Sequence, residues 1–151
     1  MKQSIRIISK QILDELKLLH PSKAEVYQAN WETFQKEIEQ ADVEIREIFG
    51  KTGEKKFITY HPSLTYFARD YGLTQLSIEQ GGKEPVPAHI VQLIETAKKE
   101  DLRVIYIQSD FDRELATVFA GEIHGKILTI WPLNPAWSSN LKEIARLIAE
   151  N

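Results

Sequence analysis

The chain has 151 residues, of which 42% are hydrophobic and 27% are charged, a composition typical of one ordinary globular domain. Its 19 basic and 22 acidic residues give a net charge of −3 without a basic block, which argues against a nucleic-acid partner. The absence of cysteine excludes disulfides, thiolate metal sites and a cysteine nucleophile. No apolar run reaches the ~18 residues of a membrane span.

The first part of the chain predicts a helix whose apolar residues recur every three or four positions. Ser4 is its candidate N-cap, and His20-Pro21 ends it because a residue before proline avoids the helical region. The apolar face consists of Ile5, Ile8, Ile12, Leu16 and Leu19.

A second, unusually long helix is predicted from Ser22 to Phe49, with Ser22 and Glu25 as a capping box. No glycine or proline interrupts its apolar pattern. At 1.5 Å per residue it would be roughly 40 Å long, well beyond the mean helix of about 11 to 12 residues. Two interpretations stay open: an ordinary packed helix, or a strut that reaches beyond the local domain.

From about residue 52 the pattern changes to alternating strands and helices, which predicts a parallel sheet with helices on both faces and right-handed crossovers. The expected fold class is therefore α/β, a three-layer αβα unit with a four-stranded parallel sheet, preceded by a helix and a long helix. The predicted strands are Lys56–Tyr60, Gln75–Glu79, 103–108 and 126–130, and the predicted helices are Pro62–Tyr71, Pro87–Glu100, 110–124 and a last one carrying Leu141 to Ile148.

His61 is the main candidate for a functional residue, because it ends the first predicted strand. Ligands of open parallel sheets bind beyond the carboxyl ends of the strands. The positive end of the following helix favours neutral imidazole, the form that binds metals. His61 could instead cap that helix or act as a general base, although no nucleophile elbow accompanies it. Phosphate binding by the segment GGKEP is a weaker alternative, since the Walker spacing is absent.

The other histidines have ordinary structural explanations. His20 precedes a proline, His89 lies in the first turn of a predicted surface helix, and His124 precedes Gly125 near a helix C-terminus. No two histidines have the i, i+4 spacing of a zincin motif.

Several segments resemble the zinc- and manganese-type substrate-binding proteins of ABC transporters. FITYHPSLTYFARDYGL is similar to the family pattern hhxxHxxhxYFAxxYGL, where h is apolar. Further similarity follows in one register over nearly the whole chain, in PSKAEVYQANWETFQKEIEQADVEI, GLTQLSIEQGGKEPVPAHIVQLI and GKILTIWPL.

The resemblance implies two α/β lobes joined by one long helix, with the metal between them. Residues 1–20 would then be the terminal helix of an N-terminal lobe missing here, 21–50 the connecting helix and 51–151 the C-terminal lobe. The first residues lack a signal peptide, which alone favours the cytoplasm. The resemblance instead implies a periplasmic or extracytoplasmic protein, held at the membrane only by a lipid anchor missing from this chain.

The resemblance also implies that His61 is a metal ligand. Imidazole at this position favours zinc over manganese in the intact protein. The family usually has an acidic ligand at the position of Trp131, and indole cannot replace it because its nitrogen only donates. Three alternatives stay open: three protein ligands plus water, another acid, or loss of tight binding. This fragment by itself is expected to bind zinc weakly or not at all.

The expected function is that of a receptor lobe, not an enzyme, whose partners are a metal ion and an ABC permease. The alternative is a nucleotide- or small-molecule-binding α/β domain or an unrelated enzyme, because one fold supports many functions.

Overall fold

The structure, a computed structural model, describes residues 2–50, 52, 55–81, 83, 85–108 and 113–151. It begins with helix α1, Lys2–Leu19, a short 3-10 turn at Pro21–Lys23, and helix α2, Ala24–Phe49. The long helix was thus predicted correctly, but both predicted N-caps are wrong. Ser4 lies inside α1. The N-cap of α2 is Lys23, which makes no side-chain capping bond, because the 3-10 turn takes up Ser22.

Only the C-terminal half of α2 belongs to the core. The buried residues of this helix are Ile38, Ala41, Asp42, Ile45 and Phe49. Among the described residues of α1, only Leu13 is buried, whereas Ile7, Ile8, Ile12, Leu18 and Leu19 are each more than half exposed. The helical pair formed by α1 and the first half of α2 therefore extends away from the hydrophobic core.

Four short parallel strands form the central sheet in the order β2-β1-β3-β4. They are β1 (Lys56–Thr59), β2 (Thr74–Ser77), β3 (Val104–Gln108) and β4 (Lys126–Ile130). Since β1 lies between β2 and β3, the chain first moves to one edge of the sheet and then crosses back over β1. The predicted α/β class with a four-stranded parallel sheet is confirmed.

Helices cover both faces of this sheet. They are α3 (Thr65–Tyr71), α4 (Pro87–Lys99), α5 (Arg113–Glu122) and α6 (Trp137–Glu150). On one face, Phe57 and Tyr106 pack with α2, α3 and α6. On the other, Ile58 and Ile105 pack with α4 and α5. Alternate strand residues thus supply two separate cores, which produces the predicted three layers.

Several predicted boundaries are wrong near the carboxyl edge of the sheet. The strands β1 and β2 end at Thr59 and Ser77, not at Tyr60 and Glu79, and α3 begins at Thr65 rather than at Pro62. The reason is a turn, closed by the Ser63 amide donating to the His61 carbonyl at 2.8 Å.

Residues 110–112 of the fifth predicted helix lie outside the described residues. In the part of the chain that the structure describes, no helix has the length and apolar content needed to cross a membrane.

Candidate functional site

His61 lies in the turn that follows β1, at the carboxyl edge of the sheet, as predicted. The strand leads directly into this turn, because the Tyr60 amide still donates to the Tyr106 carbonyl of β3 at 2.9 Å. The side chain of His61 is 35% exposed. It is therefore held at the protein surface and remains accessible to solvent.

A glutamine on β2 closes the turn that carries His61. Gln75 Nε2 donates to Thr59 Oγ1 at 2.6 Å, and Gln75 Oε1 accepts from Thr65 Oγ1 at 3.1 Å. The two threonines are the last residue of β1 and the first residue of α3. One amide group therefore bridges both ends of the turn and restricts how far its strand and helix can separate.

Glu79 is the partner of His61. Its Oε2 lies 2.7 Å from His61 Nδ1, and its side chain is only 16% exposed. Glu79 follows β2, and its amide donates to the Tyr60 carbonyl at 3.0 Å, so the two residues approach from neighbouring strands. With the carboxylate ionised, Nδ1 must be the donor in this bond. A metal ion would therefore be bound through Nε2, in the arrangement of carboxylate, histidine and metal that is common in metalloproteins.

The helix after His61 is fixed to α2 by a buried carboxylate. Tyr71, the last residue of α3, donates through its hydroxyl to Asp42 Oδ1 at 3.1 Å, and Arg46 Nε donates to Asp42 Oδ2 at 3.2 Å. Burial, together with the Asp42 carboxylate, raises the pKa of Tyr71 above its ordinary value. The neutral phenol is thus kept as a donor, and the position of α3 is linked to that of the long helix.

Trp131 follows β4, which is separated from β1 by β3. Two strand spacings place its backbone roughly 10 Å from the His61 turn. The indole is 56% exposed, so the core does not require tryptophan here. Residues 109–112, which follow β3, lie outside the described residues. Within the described part of the chain, no three His, Asp or Glu side chains come together as a metal-binding group.

The sequence did not identify Glu79 or Gln75 as part of this site. Glu79 was assigned to the second strand, where a side chain is usually structural. The available signal was its position at the end of a strand, the same reason that singled out His61. The missing information was that β1 and β2 are neighbours, because chain order alone does not give the spatial order of strands.

Comparison with known proteins connects this geometry to a family. The family model for ZnuA, zinc-uptake complex component A periplasmic, matches residues 3–151. The zinc-binding protein AdcA of Streptococcus pyogenes serotype M1 is 29% identical over 142 residues, which are 93% of this chain and 27% of AdcA. The high-affinity zinc uptake system protein ZnuA of Bacillus subtilis is 28% identical over 127 residues, covering 83% of this chain and 39% of ZnuA.

A crystal structure of ZnuA has the same fold, with a TM-score of 0.94 and 36% sequence identity over 99% of this chain and 59% of the ZnuA chain. The present chain thus spans 27% to 59% of the length of these relatives, less than two thirds in each case. Because the family model covers nearly the whole sequence, the chain belongs to the ZnuA family of substrate-binding proteins of ABC transporters.

Proposed function

We propose that this chain is the C-terminal lobe and connecting helix of an extracytoplasmic receptor that binds zinc and delivers it to an ABC permease. The observation that carries the proposal is the short bond between His61 Nδ1 and Glu79 Oε2, 2.7 Å, at the carboxyl edge of the sheet. A carboxylate in this position fixes the orientation and the tautomer of the ring. The proposed role of His61 is that of a zinc ligand through Nε2.

Zinc is favoured over manganese by the chemistry of this ligand. Imidazole suits zinc, whereas manganese prefers carboxylate, carbonyl and water oxygens. The carboxylate of Glu79, which lies next to the imidazole ring, contacts its Nδ1 and so supports the histidine. The remaining ligands of a zinc site, which needs about three protein groups plus water or four protein groups, would come from elsewhere in the receptor.

A second lobe is proposed to complete the site and to cover the exposed face of α1 and α2. These helices form an open groove of about 820 Å³ lined by Arg6, Ile7, Lys10 and Trp31, among others. Gln35 also lines it, and its Oε1 is buried without a hydrogen-bond partner among the described residues. Buried acceptors are normally paired. The relatives extend beyond the matched region, and their additional chain supplies a candidate donor and apolar cover.

The same proposal places the receptor outside the cytoplasm, attached to the membrane by a lipid anchor. A receptor of this kind releases its ion unchanged, so the protein is proposed not to be an enzyme. These points rest on the family and on the names of its members, which include a zinc-binding lipoprotein of Streptococcus pneumoniae.

The first test is zinc affinity, measured by calorimetry in the full-length receptor, meaning this chain together with the proposed second lobe. His61→Ala removes a direct ligand, and we expect the affinity to fall by a factor of roughly 100 or more, since even a partner one bond further out contributes about 10- to 100-fold. Glu79→Gln should have a smaller effect, because it keeps a hydrogen-bond acceptor but removes the charge.

The matched control is His20→Ala, which removes an exposed imidazole between α1 and the 3-10 turn. It should leave the zinc affinity unchanged. In the 151-residue chain alone, binding should be weak, because one imidazole cannot offset the dehydration of the ion. An unchanged zinc affinity in the full-length His61→Ala receptor would show that the role of His61 is purely structural. Tight binding by the short chain, surviving His61→Ala, would point to a different site.

A further inference from the structure

His89, in the first turn of α4, contacts the segment that carries Glu79 on both sides of that residue. Its Nε2 lies 2.9 Å from the Ser77 carbonyl oxygen, and its Nδ1 lies 3.0 Å from Gln80 Nε2. A carbonyl can only accept, so Nε2 carries the proton and donates. Nδ1 then accepts from the Gln80 amide, and the ring is neutral in this arrangement.

The segment from Ser77 to Gln80 begins at the last paired residue of β2 and then leaves the sheet, after the Ile78 amide has donated to the Thr59 carbonyl at 3.0 Å. The strand β2 ends at Ser77, and the chain turns at Gly81, whose φ is +61°. On its inner side the segment is held by the Glu79 amide, which donates to the Tyr60 carbonyl at 3.0 Å. On its outer side a backbone bond from the Lys83 amide to the Gln80 carbonyl at 3.2 Å closes the turn.

We propose that His89 is a positioning residue, which holds the Ser77–Gln80 segment so that Glu79 meets His61 Nδ1. The path has two steps: His89 fixes Ser77 and Gln80 through one hydrogen bond to each, and Glu79 between them fixes His61. His89 is half-buried and lies on α4, whereas its partners lie at the end of β2 and in the turn that follows, so it connects α4 to the site. The proposal extends the proposed function, because the importance of Glu79 depends on His61 being the zinc ligand.

The first measurement uses only the 151-residue chain and no metal. Nitrogen-15 NMR of the imidazole rings above pH 8, where histidine is ordinarily neutral, reports which nitrogen of His61 carries the proton. In the parent chain we expect His61 to be protonated on Nδ1, as its bond to the Glu79 carboxylate requires. In His89→Ala the signals should move toward those of His20, the exposed reference in the same spectrum.

Two conservative variants separate positioning from simple packing. In His89→Gln, the side-chain nitrogen can still donate to the Ser77 carbonyl, so the proton on His61 should return to Nδ1. His89→Leu fills a similar volume without a donor and should behave like His89→Ala. If His89→Ala leaves the His61 signals unchanged, or if His89→Gln and His89→Leu shift them equally, the positioning role is wrong.

The second measurement is zinc affinity in the full-length receptor. His89→Ala should weaken binding by roughly 3- to 10-fold, less than the about 10- to 100-fold typical of a direct partner of a metal-binding histidine, and His89→Gln should restore most of it. An affinity unchanged by His89→Ala but lowered by His61→Ala would overturn this inference alone. An affinity unchanged by His61→Ala would overturn the zinc proposal, while the NMR result would still decide whether His89 positions Glu79.

Discussion

Tyr106 illustrates how a buried residue contributes to the response of the fold to pH. It is 2% exposed, lies at the centre of β3, and its hydroxyl donates to the Leu147 carbonyl of α6 at 2.7 Å. Burial raises the pKa of Tyr106 above its ordinary value. The folded state therefore keeps this proton longer than the unfolded chain, whose tyrosines ionise near pH 10.

We expect this difference to destabilise the protein at high pH. The stability that the protonated Tyr106 contributes is fully present below about pH 10. It is lost as the pH rises toward the pKa of the folded state, because the unfolded state binds fewer protons in that window. Over that window the free energy of unfolding falls by about 1.4 kcal/mol per pH unit because of this residue. Tyr106→Phe should cost about 1 kcal/mol at neutral pH through the lost hydrogen bond, and its stability should fall less steeply above pH 10.

Urea unfolding at several pH values between 7 and 11 checks the prediction. Tyr66→Phe is the control, because it removes a hydroxyl from a side chain that is 69% exposed. It should change the free energy of unfolding by less than about 0.5 kcal/mol at neutral pH. Parallel pH curves for Tyr106→Phe and the parent would show that the buried hydroxyl does not control the alkaline transition.

At this scale the sequence identified the residue but not its surroundings. His61 could be predicted because an apolar strand pattern ends at it and a proline follows. Glu79 and His89 could not, because their roles depend on β2 lying beside β1 and on α4 folding back against the end of β2. Such contacts between residues 9 to 18 positions apart leave no periodic signal in the sequence.

Among the secondary-structure elements, the junction between α5 and β4 depends on the absence of a side chain. A Cβ at Gly125 would lie 2.4 Å from the Arg103 carbonyl oxygen, well inside contact distance. The same carbonyl accepts from the Lys126 amide at 2.8 Å, so it cannot move away without disturbing the start of β4. We expect Gly125→Ala to destabilise the protein by about 1 to 3 kcal/mol, the usual cost of overpacking.

Gly121→Ala is the matched control for that substitution, because Gly121 lies in α5 only four positions earlier and a Cβ there would meet nothing within 4 Å. It should stabilise the protein by about 0.4 to 1 kcal/mol, since alanine loses less conformational freedom in a helix. Chemical denaturation of both variants measures the change in the free energy of unfolding, which should have opposite signs for the two substitutions. Equal effects of the two substitutions would contradict the contact at Gly125.

The boundaries of elements were harder to predict than the elements themselves. Gly72 ends α3 as expected, with a φ of +70° that glycine adopts without strain. Pro62, however, does not begin that helix, because a turn forms first. In this turn the Ser63 amide donates to the His61 carbonyl, and the Thr65 hydroxyl donates to the Pro62 carbonyl. Local competition of this kind between a turn and a helix is decided by a few hydrogen bonds, which residue preferences do not resolve.

For the whole molecule, the exposed face of α1 makes self-association the expected behaviour of the 151-residue chain. Ile8 and Ile12 are 56% and 55% exposed, and large apolar patches are unusual on monomers. We expect weak, concentration-dependent association in sedimentation experiments, and Ile8→Lys combined with Ile12→Lys should abolish it.

The control for association is Val118→Lys, which places the same charge at a 61% exposed apolar position on α5. It should leave the association unchanged. A strict monomer at the highest attainable concentration, or equal effects of the two sets of substitutions, would show that α1 is not the associating face.

The overall architecture was the part that the sequence predicted best. The change from a helical period to alternating strands and helices near residue 50 predicts both the layers and the parallel sheet, because each strand must be followed by a crossover. The exposure of α1 could not be read from its own pattern, since an apolar face indicates that a partner is needed but not which one.

The uneven burial of α2 has a mechanical consequence. Its second half, from Ile38 to Phe49, is embedded in the core, whereas residues 24–37 have no buried side chain. From Ile38 back to Ala24 the helix axis is about 21 Å long at 1.5 Å per residue. The helix is therefore anchored most firmly at its C-terminal end, and its N-terminal half makes lighter contacts, such as that of Phe34 with Trp137 of α6, whose ring centroids are 5.7 Å apart. By this geometry, a tilt of about 5° around Ile38 moves the N-terminal end of α2 by about 2 Å, which is close to the length of a zinc–nitrogen bond. A slight repacking around Ile38 would thus displace the N-terminal end of α2 by a distance comparable to that bond.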